Sequence, residues 1–123
     1  MFKVVFLLKR KEGLSMKEFI SYYEDTHAKL GLKYLSGGAV RYIRRYLHPI
    51  SDLVTENRDD ADYDVVTETW YVDRAAFDNT LARYTPEVRE IMAACESNFL
   101  DKSRRGIFFV EEHETPLSST FTE

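Results

Sequence analysis

The sequence predicts an α+β domain whose elements follow one another as β-α-β-β-α-β around a four-stranded antiparallel sheet. Three observations predict it. Four short segments, at 3–9, 39–48, 63–72 and 106–112, either alternate apolar and polar residues or run continuously apolar, as strands do. Two longer segments, opening at Ser15 and after Asp73, repeat apolar residues every three or four positions, the period of a helix with one buried stripe. A chain of 123 residues fits one domain and leaves little room for a second.

The first strand is Lys3 to Lys9, KVVFLLK. Val4, Phe6 and Leu8 face one way, Val5 and Leu7 the other, and both sets are apolar, as in a strand covered on both sides. A basic turn, Arg10 to Gly13, ends it. Ser15 and Glu18 have the spacing of a capping box, in which each side chain satisfies a free backbone N–H at the helix start. Behind them Met16, Ile20, Tyr23, His27 and Leu30 form one stripe, widened by Phe19. Lys17, Ser21, Glu24, Asp25 and Lys29 lie opposite. Ser36-Gly37-Gly38 marks a loop.

The second strand, Ala39 to His48, places Val40, Tyr42, Arg44, Tyr46 and His48 on one face and Ala39, Arg41, Ile43, Arg45 and Leu47 on the other. Pro49 ends it, since proline has no N–H to give to a ladder. The acidic stretch 50–62 is a long connection of the kind that forms lids or binding loops. The third strand, Tyr63 to Val72, carries Val66, Glu68 and Trp70 on one side and Val65, Thr67, Thr69 and Tyr71 on the other. Asp73 caps a helix with Phe77, Leu81 and Tyr84. Thr85-Pro86 interrupts and restarts it, because threonine is a good cap and proline suits the first helical position. The restarted helix has Val88, Ile91, Met92, Cys95 and Phe99 as its stripe. Gly106 to Glu112 is the last strand. Residues 1–113 form the domain, and 114–123 are a polar tail expected to be poorly ordered or draped on a partner.

This order is that of a ferredoxin-like fold. With the helices on one side, the other sheet face is left open and rich in apolar and aromatic residues. A second copy covering that face, a homodimer, is the simple solution.

The formal net charge of −4 argues against nucleic acid as a partner, since binding phosphate calls for a basic field. The single Cys95 cannot form an internal disulfide, so nothing calls for an oxidising compartment. The apolar run at the start is too short to cross a membrane and lacks a small-residue cleavage site after it. A cytoplasmic protein without membrane attachment is expected.

The stretches KVVFLLKRKEGLSMKEFISYYEDTHAKL, VRYIRRYLH, DVVTETWYVD and ESNFLDKSRRGIFFVEEH together resemble the EthD-type branch of the dimeric α+β barrel superfamily. The resemblance covers nearly the whole chain outside 50–62 and the tail. It implies a dimer whose two sheets close into a barrel, with one pocket per subunit between sheet and helices. Related enzymes act on aromatic-pathway lactones, polyketide intermediates and quinols, usually without metal or organic cofactor. The expectation is therefore a cofactor-free lyase or isomerase that shifts protons on a small cyclic ketone, lactone or phenol. A non-catalytic small-molecule binding or stress-associated protein, and a cofactor-free quinol monooxygenase, are the alternatives.

His27 is the foremost candidate for catalysis. A partly desolvated imidazole can serve as acid or base near neutral pH, or it can simply close the helix end with a hydrogen bond. Its place in Tyr23-x-x-x-His27-x-x-Leu30 matches the pattern the resemblance implies. Tyr42, Tyr46 and His48 share a strand face and could hold and enolise a ketone or phenol. Tyr46 is taken as a catalytic partner, and Tyr23, Tyr42 and His48 as substrate contacts. Glu68 is costly inside a strand unless paired. It could orient His27 or a tyrosine, or it could pair with Arg41, Arg44 or Arg45. Trp70, on the Glu68 face, could contact substrate or pack. Arg41, Arg44 and Arg45 could hold an anion or form a solvated face. Asp59, Asp60, Asp62 and Asp64 alternate like a calcium loop but lack its turn glycine and closing glutamate, so no metal is expected. Cys95 reads as core.

Overall fold

The computed structural model describes residues 1–54 and 61–118 of the chain. Four strands, β1 (Phe2–Arg10), β2 (Arg41–Tyr46), β3 (Val65–Tyr71) and β4 (Leu100–Phe109), form one sheet in the order β2-β3-β1-β4. Every neighbouring pair is antiparallel. This is the ferredoxin-like α+β architecture that the segment order predicts. The first helical segment runs as α1 (Met16–Tyr22), a π-helical turn (Tyr23–His27) and α2 (Ala28–Leu35), and α3 (Arg74–Ala82) and α4 (Pro86–Glu96) follow β3.

The helix starts are those read from the sequence. Ser15 Oγ accepts from the Glu18 N–H and Glu18 Oε1 accepts from the Ser15 N–H, both at 3.1 Å. Asp73 accepts from the Ala76 N–H at 2.8 Å and Thr85 from the Val88 N–H at 3.3 Å. Each cap satisfies a donor that has no partner inside its helix. Gly37, at φ +82°, supplies the left-handed residue after α2.

All four strands have bounds other than those read from the sequence, and the last differs most. β4 begins at Leu100, six residues before Gly106, and ends at Phe109 rather than Glu112. Its first half, LDKSRR, belongs to an edge strand, where one side of the ladder faces water and the apolar alternation that reveals inner strands disappears. The buried stripe of the first helix also shifts. Phe19, Tyr23, His27, Ala28, Gly31 and Leu35 are buried, while Met16, Ile20 and Leu30 are only half-buried. On α4, Ile91 stays 47% exposed.

Leu8, Phe19, Tyr23, Ala28, Val65, Phe99 and Leu100 make the core cluster, with Tyr46 packed against it. Phe19 meets Tyr46 edge-on at 6.2 Å, geometry that suits the ring quadrupoles, and packs on Phe99 at a tilt, 5.7 Å away. The register places Phe2, Val4, Phe6 and Leu8 of β1 beside Tyr71, Thr69, Thr67 and Val65 of β3. This is the sheet face that the helices cover. The other face carries Val5, Leu7, Val66, Glu68 and Trp70.

Asp59 and Asp60 of the acidic stretch lie outside the described residues. Asp64 is buried and ties the end of β1. It accepts from the Arg10 N–H at 2.8 Å and pairs with Lys9 at 3.3 Å and the Arg10 guanidinium at 3.7 Å. Among the described residues no cluster of three or more His, Cys, Asp or Glu side chains is placed to hold a metal, and no helix is long and apolar enough to cross a membrane.

Candidate functional site

The site begins with the first helix. Tyr23 and His27 are four residues apart, a spacing that drifts by about 40° on an α-helix of 3.6 residues per turn. The π-helical turn over Tyr23–His27 widens the turn by one residue and brings both side chains to bear on the sheet. Such turns recur at functional sites. Both residues line a cavity of about 410 Å³ between the sheet and the helices. Its apolar wall includes Phe6, Leu8, Leu35, Phe77, Met92 and Ile107, and its polar wall includes Tyr42, Thr67, Thr69, Tyr71, Tyr84 and Glu96.

His27 is 6% exposed. Its ring packs against Phe99 at 4.9 Å and Tyr23 at 5.5 Å. Nδ1 lies 3.1 Å from Cys95 Sγ, and Nε2 has no hydrogen-bond partner among the described residues. Burial pushes its pKa below the ordinary value of 6.5. The Glu96 carboxylate opposes that shift and the Arg105 guanidinium adds to it. The imidazole is therefore uncharged at neutral pH.

Hydroxyl groups surround it. Tyr23 Oη and Thr67 Oγ1 share a hydrogen bond of 2.7 Å. Tyr42 lies across Gly31, where an added Cβ would come within 2.9 Å of its hydroxyl oxygen. Burial first, and then neighbouring Tyr23, raise the pKa of Tyr42 far above the normal phenol range. Burial likewise raises Tyr84 and Tyr71. These phenols stay protonated and able to donate. Thr69 Oγ1 is buried without a hydrogen bond of ordinary geometry, although the Tyr71 hydroxyl senses it.

Of the residues singled out in the sequence, His27, Tyr23 and Tyr42 come together here. Tyr46 shares their sheet face but lies outside the cavity, where it donates to Glu24. Glu24 also takes two hydrogen bonds from Arg44, at 3.0 and 2.7 Å, so Arg44 is committed to a structural pair. Glu68 and Trp70 are on the far side of the sheet. Alternation along β3 puts Thr67 and Thr69 under the helices and turns Glu68 and Trp70 away. There Glu68 pairs with Arg45 and accepts from Trp70 Nε1 at 3.0 Å, while Lys3 and Arg41 stack on the indole. Glu68 therefore cannot orient His27. His48 is exposed beyond the end of β2.

The reading of the sequence missed Glu96, Arg105, Thr69 and Tyr84 as site residues. Glu96 is 7% exposed and paired with Arg105, which offsets the cost of burying a carboxylate. A signal was present. Arg89, Met92, Ala93 and Glu96 repeat at helical spacing and all four line the cavity.

Comparison with protein families completes the description. Residues 11–103 match the model of the EthD domain. The chain is a member of the EthD family. Curated proteins offer no match to it. Among solved structures, an EthD family protein of Bacillus halodurans superposes with a TM-score of 0.62 at 18% identity, covering 92% of this chain and 100% of that one. The Arabidopsis thaliana protein At3g17210 gives 0.61 at 17% identity, over 95% and 100%. A variant of SnoaB, a cofactor-independent oxygenase from Streptomyces nogalater, gives 0.51 at 18% identity, over 92% and 95%. At these identities the shared property is the fold.

Proposed function

We propose that this EthD-family protein is a cofactor-free proton-transfer enzyme of the lyase or isomerase kind, acting on a small cyclic ketone, lactone or phenol. One observation carries the reading. His27 sits uncharged in the wall of a cavity under the helices, with Nε2 unengaged and protonated phenols close by. A neutral imidazole can take a proton from carbon next to a carbonyl. A phenol held protonated by burial can donate to the oxygen on which negative charge then grows. In this reading His27 is the base and Tyr42, rather than Tyr46, is the donor to the enolate oxygen. Tyr23, fixed by Thr67, holds the ring that packs on His27. The size of the cavity and its mainly apolar wall with a few polar groups are typical of a small-molecule site.

Exchange of the acidic C–H protons of 2-tetralone in deuterated buffer, followed by proton NMR, tests this without knowledge of the natural substrate. The protein is expected to accelerate exchange, and His27→Gln to lower the rate by about a hundredfold or more while still binding the ketone. Binding without acceleration by the unaltered protein would instead favour the non-catalytic binding reading.

A further inference from the structure

The chain as a whole is acidic, with a formal net charge of −4, yet one side of the cavity is basic. Arg89, Lys102 and Arg105 all line it and all are exposed, so they stand where the cavity opens to solvent. They form a row along one edge of α4. Arg89 begins it. Lys102 comes across from β4 to donate to the Ala93 carbonyl at 2.8 Å, one helical turn further on. Arg105, also from β4, meets Glu96 at the end of the helix. These are not the arginines that the sequence pattern of β2 offers for an anion, since Arg44 is bound to Glu24 and Arg45 to Glu68.

The row has donors to spare. Arg89 uses Nε on the Tyr84 carbonyl at 3.0 Å, Lys102 uses one N–H on Ala93, and Arg105 uses one nitrogen on Glu96. A guanidinium carries five N–H donors and an ammonium three. Glu96, the one carboxylate of the cavity wall among the described residues, is neutralised by Arg105. Three cations thus face one paired carboxylate. Behind the row lie aromatic and aliphatic side chains, and deeper still the buried Thr69 hydroxyl.

We propose that the cavity takes a planar aromatic anion. Its ring system would lie among Phe6, Leu8, Phe77 and Ile107. Its carboxylate would face Arg89, Lys102 and Arg105, and a ring hydroxyl or carbonyl would meet Thr69. The proposal rests on the reading of the cavity as a small-molecule site and adds the charge of the ligand. Guanidinium and ammonium groups favour such an anion over its neutral isostere, and salt weakens the preference at an open rim.

The test is calorimetric titration of the full chain with 2-naphthoate and with 2-naphthamide, which share ring and size and differ in charge. Naphthoate is expected to bind about tenfold more tightly or better, with the ratio shrinking as salt is raised. In the double variant Arg89→Gln, Lys102→Gln the ratio should fall towards one while naphthamide affinity stays the same. Equal affinity of the two ligands for the unaltered protein, or a preference that survives the double variant, would overturn the proposal and leave the small-molecule site standing. Failure of both ligands to bind would overturn the site reading together with it.

Discussion

At the scale of single residues, burial sets the character of the site. His27 is surrounded by Phe99, Tyr23 and Cys95, and removal from water disfavours its charged form. Its folded pKa lies below 6.5, the value it regains when the chain unfolds. Between the two values the unfolded chain holds more protons, so stability falls as pH falls. The contribution is complete above pH 6.5 and is lost progressively on acidification towards the folded value. His27→Gln removes the titration. Urea unfolding midpoints measured from about pH 7.5 down to about pH 5 should fall more steeply for the unaltered protein than for the variant. Keeping above pH 5 avoids Glu24, whose pKa is held below 4.5 chiefly by its hydrogen bond from Arg44 and whose own loss of stability begins lower. Parallel curves for the two proteins would mean that His27 is not held neutral in the folded state.

At the scale of elements, the close approach of α2 to β2 decides where Tyr42 lies. Gly31 leaves the space that the ring occupies, since an added Cβ would meet Tyr42 at 2.9, 3.1 and 3.2 Å. In Gly31→Ala two effects compete. Alanine favours the helix by about 1 kcal/mol, while overpacking against a rigid buried ring costs about 1–3 kcal/mol. The second should win, and adding Tyr42→Phe should recover part of the loss because the nearest atom is the hydroxyl oxygen. Chemical denaturation of the single and double variants measures both. The same elements show what the sequence can and cannot reveal. Caps at Ser15, Asp73 and Thr85 are local chemistry and were legible. Period-two alternation sorts β3 into Val65, Thr67, Thr69, Tyr71 and Val66, Glu68, Trp70, but both sets mix apolar and polar groups. Nothing local says which set the helices cover, so the sequence leaves Glu68 and Trp70 as candidates for the site although they face away. No residue type marks a π-helical turn. The charged first half of β4 looks like a loop, which hid Lys102 and Arg105, and Glu96 looks like the solvated side of a helix until its pairing with Arg105 is seen.

At the scale of the whole molecule, the sheet has helices on one face only. The other face presents Val5, Leu7, Ile43 and Val66, with Phe108 53% exposed beside Val5. It also carries Lys3 and Arg41 stacked on Trp70, and Arg45 paired with Glu68. Apolar side chains on an uncovered sheet face are unfavourable in water, and the cations among them call for acidic groups opposite. The exposed segment just after β4 supplies them, with Glu111, Glu112 and Glu114 in sequence and Glu112 already 2.9 Å from Lys3 within the chain. A second copy brings both a matching apolar sheet and a second acidic segment, so we propose that the protein is a homodimer paired through this face, as expected from the sequence. Sedimentation equilibrium should return twice the 14.4 kDa of the chain. Phe108→Asp puts an unpaired charge into such an interface, where desolvating it is costly. That variant should sediment as a monomer, and its cavity ligand should still bind, because Phe108 points away from the helices. A monomeric unaltered protein at micromolar concentration would refute the pairing, and a dimer that persists in Phe108→Asp would place the contact on another surface.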